Sequence, residues 1–396
     1  MTETMPTTTA TDTRTAATAA IAIAAAATAS PAPTLAQLRR YAIARSLFKP
    51  TTLPLAIRKL GFLQADPIRA PARAQDLILR LRVTGYRAGE LERRYARLPI
   101  EEDCLVNYGF MERGTLALLH PRVPRKAWDE TTHAQAQELL AFVRGRKRAT
   151  HPKDVLQAFA HHGRMTGYWG GELNVGTQLL DELHYRGLLR VKQRDNGTRV
   201  YQAIEHPPQT LGPAARLARA EALLDMVVRL YAPLPSASLG YLATLLRLGA
   251  PDLQPEIRQA VQSAKARHAH ALVQGKTWYW PADENPASRR YRVDGQLRLL
   301  APFDPIAWDR RRFEAFWGWP YKFEAYTPAT NRTMGHYALP MLFGEDMIGW
   351  ANLKVVGGRL QCGLGFAPGR GPAGVAFDAA LAAELARMRA FLGLDG

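Results

Sequence analysis

Cysteine is almost missing: 396 residues carry two, Cys104 and Cys362, far apart and in no CxxC pair. That excludes a disulfide framework, argues against a structural zinc site and fits a reducing cytoplasm. Long apolar runs are missing too. Outside an alanine tract at residues 16–27, no stretch of about 18 residues lacks a breaker, so no transmembrane helix is expected. There is no GxxxxGK[ST] and no GxSxG, the usual cues for nucleotide hydrolysis and serine esterase chemistry. Gly369, Gly371 and Gly374 spell GxGxxG, but with Pro372 inside the turn, near the C-terminus and with no acidic residue closing a second strand. A dinucleotide site is therefore rejected. The pairs His161-His162 and His268/His270 have no carboxylate or cysteine close in sequence and read as solvated residues. No metal and no cofactor is expected.

Acidic side chains are outnumbered, 35 against 52 Lys and Arg, for a net charge of +17 and a pI near 10.1. Such a field attracts polyanions, nucleic acid first and an anionic membrane surface second. An arginine-rich proteome is the bland source of the same bias. Hydrophobic residues at 47% and charged residues at 22% are ordinary for a globular chain, and the length suits roughly two to four domains.

Residues 1–33 are rich in Thr and Ala and read as a disordered extension. A signal peptide fits less well, because the segment before the alanine tract has Glu3 and Asp12 beside a single Arg14 and lacks a positive start. Thr34 is a good N-cap for a helix carrying Leu35, Leu38 and Ala42. A short helix follows at residues 53–60, and another is predicted over 69–82, with Arg69, Arg73 and Arg80 along one line. These arginines form either a row of phosphate contacts or a solvated face. Arg146, Lys147 and Arg148 sit in a basic linker. Beyond it, the pattern predicts a helix at 152–159, a polar turn at 167–169, a helix at 175–189 and a hairpin turning at Asp195-Asn196-Gly197. That hairpin carries Arg190, Lys192, Arg194 and Arg199. Helices at 238–248 and 255–264 and a hairpin at 271–281, turning at Gly275-Lys276, repeat the pattern. Strands near 334–341, 347–355 and 360–365 and a closing helix (Phe377, Leu381, Leu385, Met388, Leu392) end the chain.

The expected fold class is α+β: two or three tandem copies of one winged-helix-like module and then a small β-rich, barrel-like domain. The expected boundaries are 34–143, 144–210, 211–296 and 297–396.

The stretch most suggestive of chemistry is Leu63-Gln64-Ala65-Asp66-Pro67-Ile68. Pro67 pushes Asp66 out of the helical region, and in an extended segment residues two apart face the same way. Gln64 and Asp66 then point together, fit to hold a water or to face a developing positive charge. The bland reading is that Asp66 caps a helix with Pro67 at its first position.

That hexapeptide goes with a long block, Phe303-Asp304-Pro305-Ile306-Ala307-Trp308-Asp309-Arg310-Arg311-Arg312. The block runs on through Tyr321-Lys322-Phe323-Glu324-Ala325-Tyr326-Thr327-Pro328-Ala329 and Gly335-His336-Tyr337-Ala338-Leu339-Pro340. Together they resemble the YcaQ/AlkZ family of bacterial DNA glycosylases over roughly residues 35–395. The resemblance implies three tandem winged-helix units and a C-terminal β domain around a DNA channel, and excision of N-alkylated purines, with some members unhooking interstrand crosslinks. It maps the family's Gln-x-Asp motif onto Gln64 and Asp66. Many members carry a Trp-Ala-His-Glu-Ala segment where this chain has Cys104-Leu105-Val106-Asn107-Tyr108-Gly109-Phe110, which bears on lesion preference.

The expected function is thus a monofunctional glycosylase acting on double-stranded DNA that holds alkylated bases or crosslinks. It would work as a monomer in the bacterial cytoplasm, at the nucleoid when DNA-bound. The expected phosphate contacts are Arg69, Arg73, Arg80, Arg146, Lys147, Arg148, Lys192, Arg194 and Arg199. A non-catalytic winged-helix DNA binder or regulator is the alternative. A lyase lacks a lysine in the Gln64/Asp66 segment, and a nuclease lacks clustered carboxylates for a metal.

Overall fold

A computed structural model describes residues 31–394 apart from 125, 167–171, 207–210, 372 and 373. The expected disordered extension (all but 31–33), the turn at 167–169 and Pro372 lie outside the described residues.

The chain opens on α1 (Leu35–Ser46), α2 (Leu53–Leu60) and β1 (Phe62–Gln64). Thr34 caps α1 in a capping box with Gln37. Next come α3 (Ala74–Leu79), α4 (Glu90–Arg94) and the hairpin β2 (Ile100–Cys104)–β3 (Tyr108–Glu112). The helix expected over 69–82 is confined to α3, because Pro71 lacks an N–H and cannot sit inside a helix. Arg69 and Arg73 therefore precede the helix and share no face with Arg80. β1 pairs antiparallel with β3, the second hairpin strand.

The same succession recurs. α5 (Glu130–Gly145) leads to a bridge at Thr150, then α6 (Pro152–Ala158), the ribbon β4 (Arg164–Thr166)–β5 (Glu172–Asn174), α7 (Val175–Tyr185) and the hairpin β6 (Leu189–Asp195)–β7 (Thr198–Ala203). Thr150 bridges Tyr201 of the second hairpin strand. α8 (Pro213–Tyr231) leads to β8 (Leu234–Pro235), α9 (Ser236–Leu245), α10 (Gln254–Gln262) and the hairpin β9 (Ala269–Val273)–β10 (Lys276–Trp280), with β8 again on the second strand.

Both long hairpins turn through two residues of positive φ, Asn196-Gly197 and Gln274-Gly275, the geometry that matches strand twist. The second turn is one residue earlier than predicted, and Lys276 already belongs to β10. The helix predicted to run to Leu189 stops at Tyr185. Gly187, at φ 76°, lets the chain turn back, and the Leu188 N–H closes onto the Leu183 carbonyl.

The C-terminal part holds β11 (Leu297–Leu299), α11 (Arg310–Trp317), β12 (Leu339–Phe343), β13 (Asp346–Val356), β14 (Arg359–Phe366) and α12 (Val375–Leu392). Its four-stranded sheet runs β11-β12-β13-β14 and stays open, so the barrel expectation is corrected. β11 has only three residues and β14 pairs on one side only, so neither edge can close on the other. The first long strand starts at Leu339 rather than near residue 334. Residues 333–335 give their backbone N–H groups to the Glu324 carboxylate instead.

α1 does not pack with the elements that follow it. Leu38, Tyr41, Ala42 and Ile43 share a core with Trp278, Trp280, Phe313, Phe316 and Trp317. The opening helix thereby ties the third hairpin to the C-terminal part. Arg82 crosses this junction and meets Asp304 with two bonds of 2.8 and 3.0 Å, both side chains fully buried. No helix among the described residues is long and apolar enough to cross a membrane.

Candidate active site

Gln64 ends β1 opposite Gly109 of β3. Glycine is needed at 109, because a Cβ there would overlap the Leu63 carbonyl and the Phe62 ring. The chain stays tied to β3 one residue further, where the Ala65 N–H donates to the Tyr108 carbonyl. Asp66 comes next, its N–H donating to Gln75 Oε1 at 3.2 Å. Its own Oδ1 accepts the Ile68 N–H at 2.9 Å. No helix begins at Pro67, so Asp66 caps nothing longer than this turn. Gln64 and Asp66, two residues apart on one extended run, line the same cleft of about 640 Å³.

Gln64 is held from the far end of the sequence. The Trp308 indole N–H donates to Gln64 Oε1 at 2.6 Å. An indole nitrogen can only donate, so the accepting atom is the amide oxygen and the NH₂ is left as a donor. Trp308 is fixed in turn by Tyr231, 5.3 Å away between centroids, and Tyr241, 6.3 Å away. Gln75, a further polar side chain on the cleft wall, orients the backbone at Asp66.

Asp66 is 7% exposed. Burial pushes its carboxyl above the usual range, and the Ile68 N–H offsets part of that. Tyr337 is buried nearby; burial first and the Asp66 charge second hold its hydroxyl well above the normal phenol range. Phe303, Phe323 and Tyr326 form an aromatic wall, with Phe303 and Phe323 edge-to-face at 4.9 Å. Tyr326 is 76% exposed at its rim. Asn107 and Tyr108 also line the cleft, so the segment that departs from the family pattern reaches the site.

The candidate cations fare unequally. Arg73 lines the cleft but pairs with Glu92. Arg80 is turned inward, its side chain 4% exposed, onto Glu384 and the Leu299 carbonyl. It cannot reach a phosphate, and that expectation is corrected. Arg194 also lines the cleft, yet it is bound to Glu102 with its side chain 10% exposed. Arg199 pairs with Asp181 at 3.0 Å and lies over the Tyr108 ring. Arg146 and Arg148 converge on Asp154, the N-terminal acid of α6. Arg69 and Lys147 are exposed, and Lys192 is partly so.

The partner of Arg194 belongs to an acidic run that sequence reasoning passed over. Glu101, Glu102 and Asp103 on β2 are all buried. Glu101 takes Arg113 and Arg190, Glu102 takes Arg194, and Asp103 takes His120 and Arg122. Burial works to raise the Asp103 carboxyl, but the His120 bond and the Arg122 charge outweigh it and hold it low. These pairs staple hairpin β6–β7 to β2. Their signal was the acidic run itself in a basic chain.

Histidines placed apart from carboxylates by sequence are not apart in space. His162 Nε2 lies 3.2 Å from Glu138, and His268 Nε2 lies 3.2 Å from Asp225. Ligand-type atoms of Glu138, His161 and His162 all fall within 4.8 Å of one another.

The site is thus an extended pair of polar side chains at the floor of a cleft walled by aromatic rings. The family model described as DNA glycosylase AlkZ-like matches residues 57–391, and the chain belongs to this AlkZ-like DNA glycosylase family. Among solved structures, it is similar to the Streptomyces sahachiroi DNA glycosylase AlkZ. The TM-score is 0.55 at 13% identity, over 92% of this chain and 98% of that one. At that identity the likeness is one of fold.

Proposed function

We propose that the chain hydrolyses the N-glycosidic bond of N7- or N3-alkylated purines in duplex DNA, with Asp66 and Gln64 as catalytic residues. The observation that carries this reading is the placement of both side chains on one cleft floor, with the Gln64 amide fixed by Trp308. An alkylated purine is cationic and leaves without strong protonation. The enzyme must instead stabilise an oxocarbenium-like sugar and aim a water at C1′. The Asp66 carboxylate opposes that positive charge and accepts the water's proton. The free NH₂ of Gln64 orients the water by donating to its oxygen. The aromatic wall suits the face of a purine. Unhooking an interstrand crosslink built on an alkylated purine breaks the same bond and belongs to the same reading.

Among the described residues no lysine lines the cleft, which supports monofunctional hydrolysis over an amine-dependent lyase. The three-fold succession of helices and hairpin, each with a segment on the second hairpin strand, supports three winged-helix units and a β-rich end from 297, with the first boundary ahead of α5 rather than at 143/144, because α5 packs with α7 and β7 of the second unit. α1 is the exception, since it packs with the C-terminal part. We read the protein as a monomer acting in the cytoplasm.

The test is base release from duplex DNA carrying N7-methylguanine. Free base should appear while the strand stays whole until alkali is added. Tight binding without release would favour a non-catalytic DNA binder, and breakage without alkali would favour a lyase or nuclease.

A further inference from the structure

The cleft continues into an annex of about 350 Å³ that shares Asn107 and Phe303 with it and is lined by Tyr241, Trp308 and Arg311. Four flat groups are layered there. Tyr231 is buried at the core end and Trp308 lies against it. Tyr241 follows at 6.3 Å and 29° to Trp308. The Arg311 guanidinium sits 4.7 Å from the Tyr241 ring centre. Tyr241 is 42% exposed and Arg311 is exposed.

Arg311 differs from the other cations of the cleft and annex. Arg73, Arg194 and Arg199 each hold a carboxylate. Arg310 donates to the Ala307 and Pro302 carbonyls. The Arg311 guanidinium has no carboxylate or carbonyl partner among the described residues. It lies in the first turn of α11, where the Arg311 and Arg312 N–H groups donate to the carboxylate of the N-cap Asp309, another residue of the annex lining. An anion brought to the annex would therefore be met by the Arg311 side chain and not by a free helix N-terminus.

We propose that Arg311, lying over Tyr241, binds a phosphodiester of the strand that carries the reacting nucleotide. The inference rests on the glycosylase reading for which strand lies in the cleft, though not for the binding itself. The contact with the Tyr241 ring limits the freedom of the guanidinium, whose planar fork suits two-point recognition of a phosphate. The same column contains Trp308, the donor to Gln64. A phosphate gripped at its outer end is thus registered against the residue that orients the water. Arg311 is a binding and positioning residue and touches no reacting atom.

The test measures affinity for an undamaged duplex against salt concentration, for wild type, Arg311→Ala, Arg311→Lys and Tyr241→Leu. Arg311→Ala should flatten the plot of log affinity against log salt by about one unit of slope, the signature of one lost phosphate contact. Arg311→Lys should keep that slope. With N7-methylguanine DNA, Arg311→Lys should raise KM, since the charge stays but the planar fork is lost; Tyr241→Leu should raise KM and, by loosening Trp308, also lower kcat. Thermal midpoints of the Arg311 variants should remain at the wild-type value, which a merely structural role would not allow. A wild-type slope and affinity in Arg311→Ala would overturn the proposal. The binding readout does not depend on base release, so loss of the glycosylase reading would leave it standing.

Discussion

Replacing Trp308 by Phe isolates one hydrogen bond. The substitution keeps a ring between Tyr231 and Tyr241 and removes the N–H that Gln64 Oε1 accepts at 2.6 Å. Gln64 is only 5% exposed, so bulk water is poorly placed to replace the donor. A buried acceptor left without a partner costs about 1–3 kcal/mol, which should appear as lower stability in urea unfolding. The freed amide also loses the orientation that leaves its NH₂ facing the cleft. A barrier higher by about 1–2 kcal/mol corresponds to a drop in kcat of roughly five- to thirtyfold. The assay is single-turnover release of N7-methylguanine by wild type, Trp308→Phe, Gln64→Ala and the double variant. If Trp308 acts through Gln64, it has nothing left to orient in the Gln64→Ala background, and the second substitution changes the rate little. An equal loss from Trp308→Phe in both backgrounds would refute the reasoning.

Four further outcomes follow from the same geometry. Asp304→Ala leaves the fully buried Arg82 charge without its carboxylate, and urea unfolding should show a loss of about 3–5 kcal/mol. Asp66→Asn should melt at a higher temperature than wild type at pH 7. Burial raises the Asp66 carboxyl in the folded state, so wild type loses stability as pH rises from the unfolded value through the folded one. The advantage of the Asn variant should vanish below about pH 4, where the carboxyl is protonated in both states. Arg69→Ala, at an exposed arginine, should reduce the salt dependence of duplex binding by about one contact. Arg80→Ala should leave that slope alone and lower stability, because Glu384 then keeps only Arg387 and the Leu299 N–H.

The parts of the fold legible in sequence were those set by local chemistry. Thr34 announced its helix, Asn196-Gly197 its hairpin, and Pro67 the extended run that aims Gln64 and Asp66 together. Where local signals conflicted, the stereochemically stronger one decided. The apolar spacing at 69–82 suggested a long helix, but Pro71 confined it to Ala74–Leu79. What could not be read was which arginines face solvent. Arg80 and Arg69 look alike in sequence, and only the path of α12, which brings Glu384 to Arg80, separates them. The acids on β2 likewise match Arg190 and Arg194 from about 90 residues away. The donor to Gln64 lies 244 residues downstream, and no periodicity links the two. Trp308 stood inside the block that carried the family resemblance, but its role became visible only with the contact.

The most direct test of the central claim is single-turnover release of N7-methylguanine from duplex DNA by wild type and Asp66→Asn, with DNA affinity measured alongside. The Asn side chain keeps the acceptor for the Ile68 N–H while removing the negative charge and the proton acceptor. The account predicts unchanged affinity and a rate lower by about 10²–10³. A rate within a few-fold of wild type would place the chemistry elsewhere in the cleft.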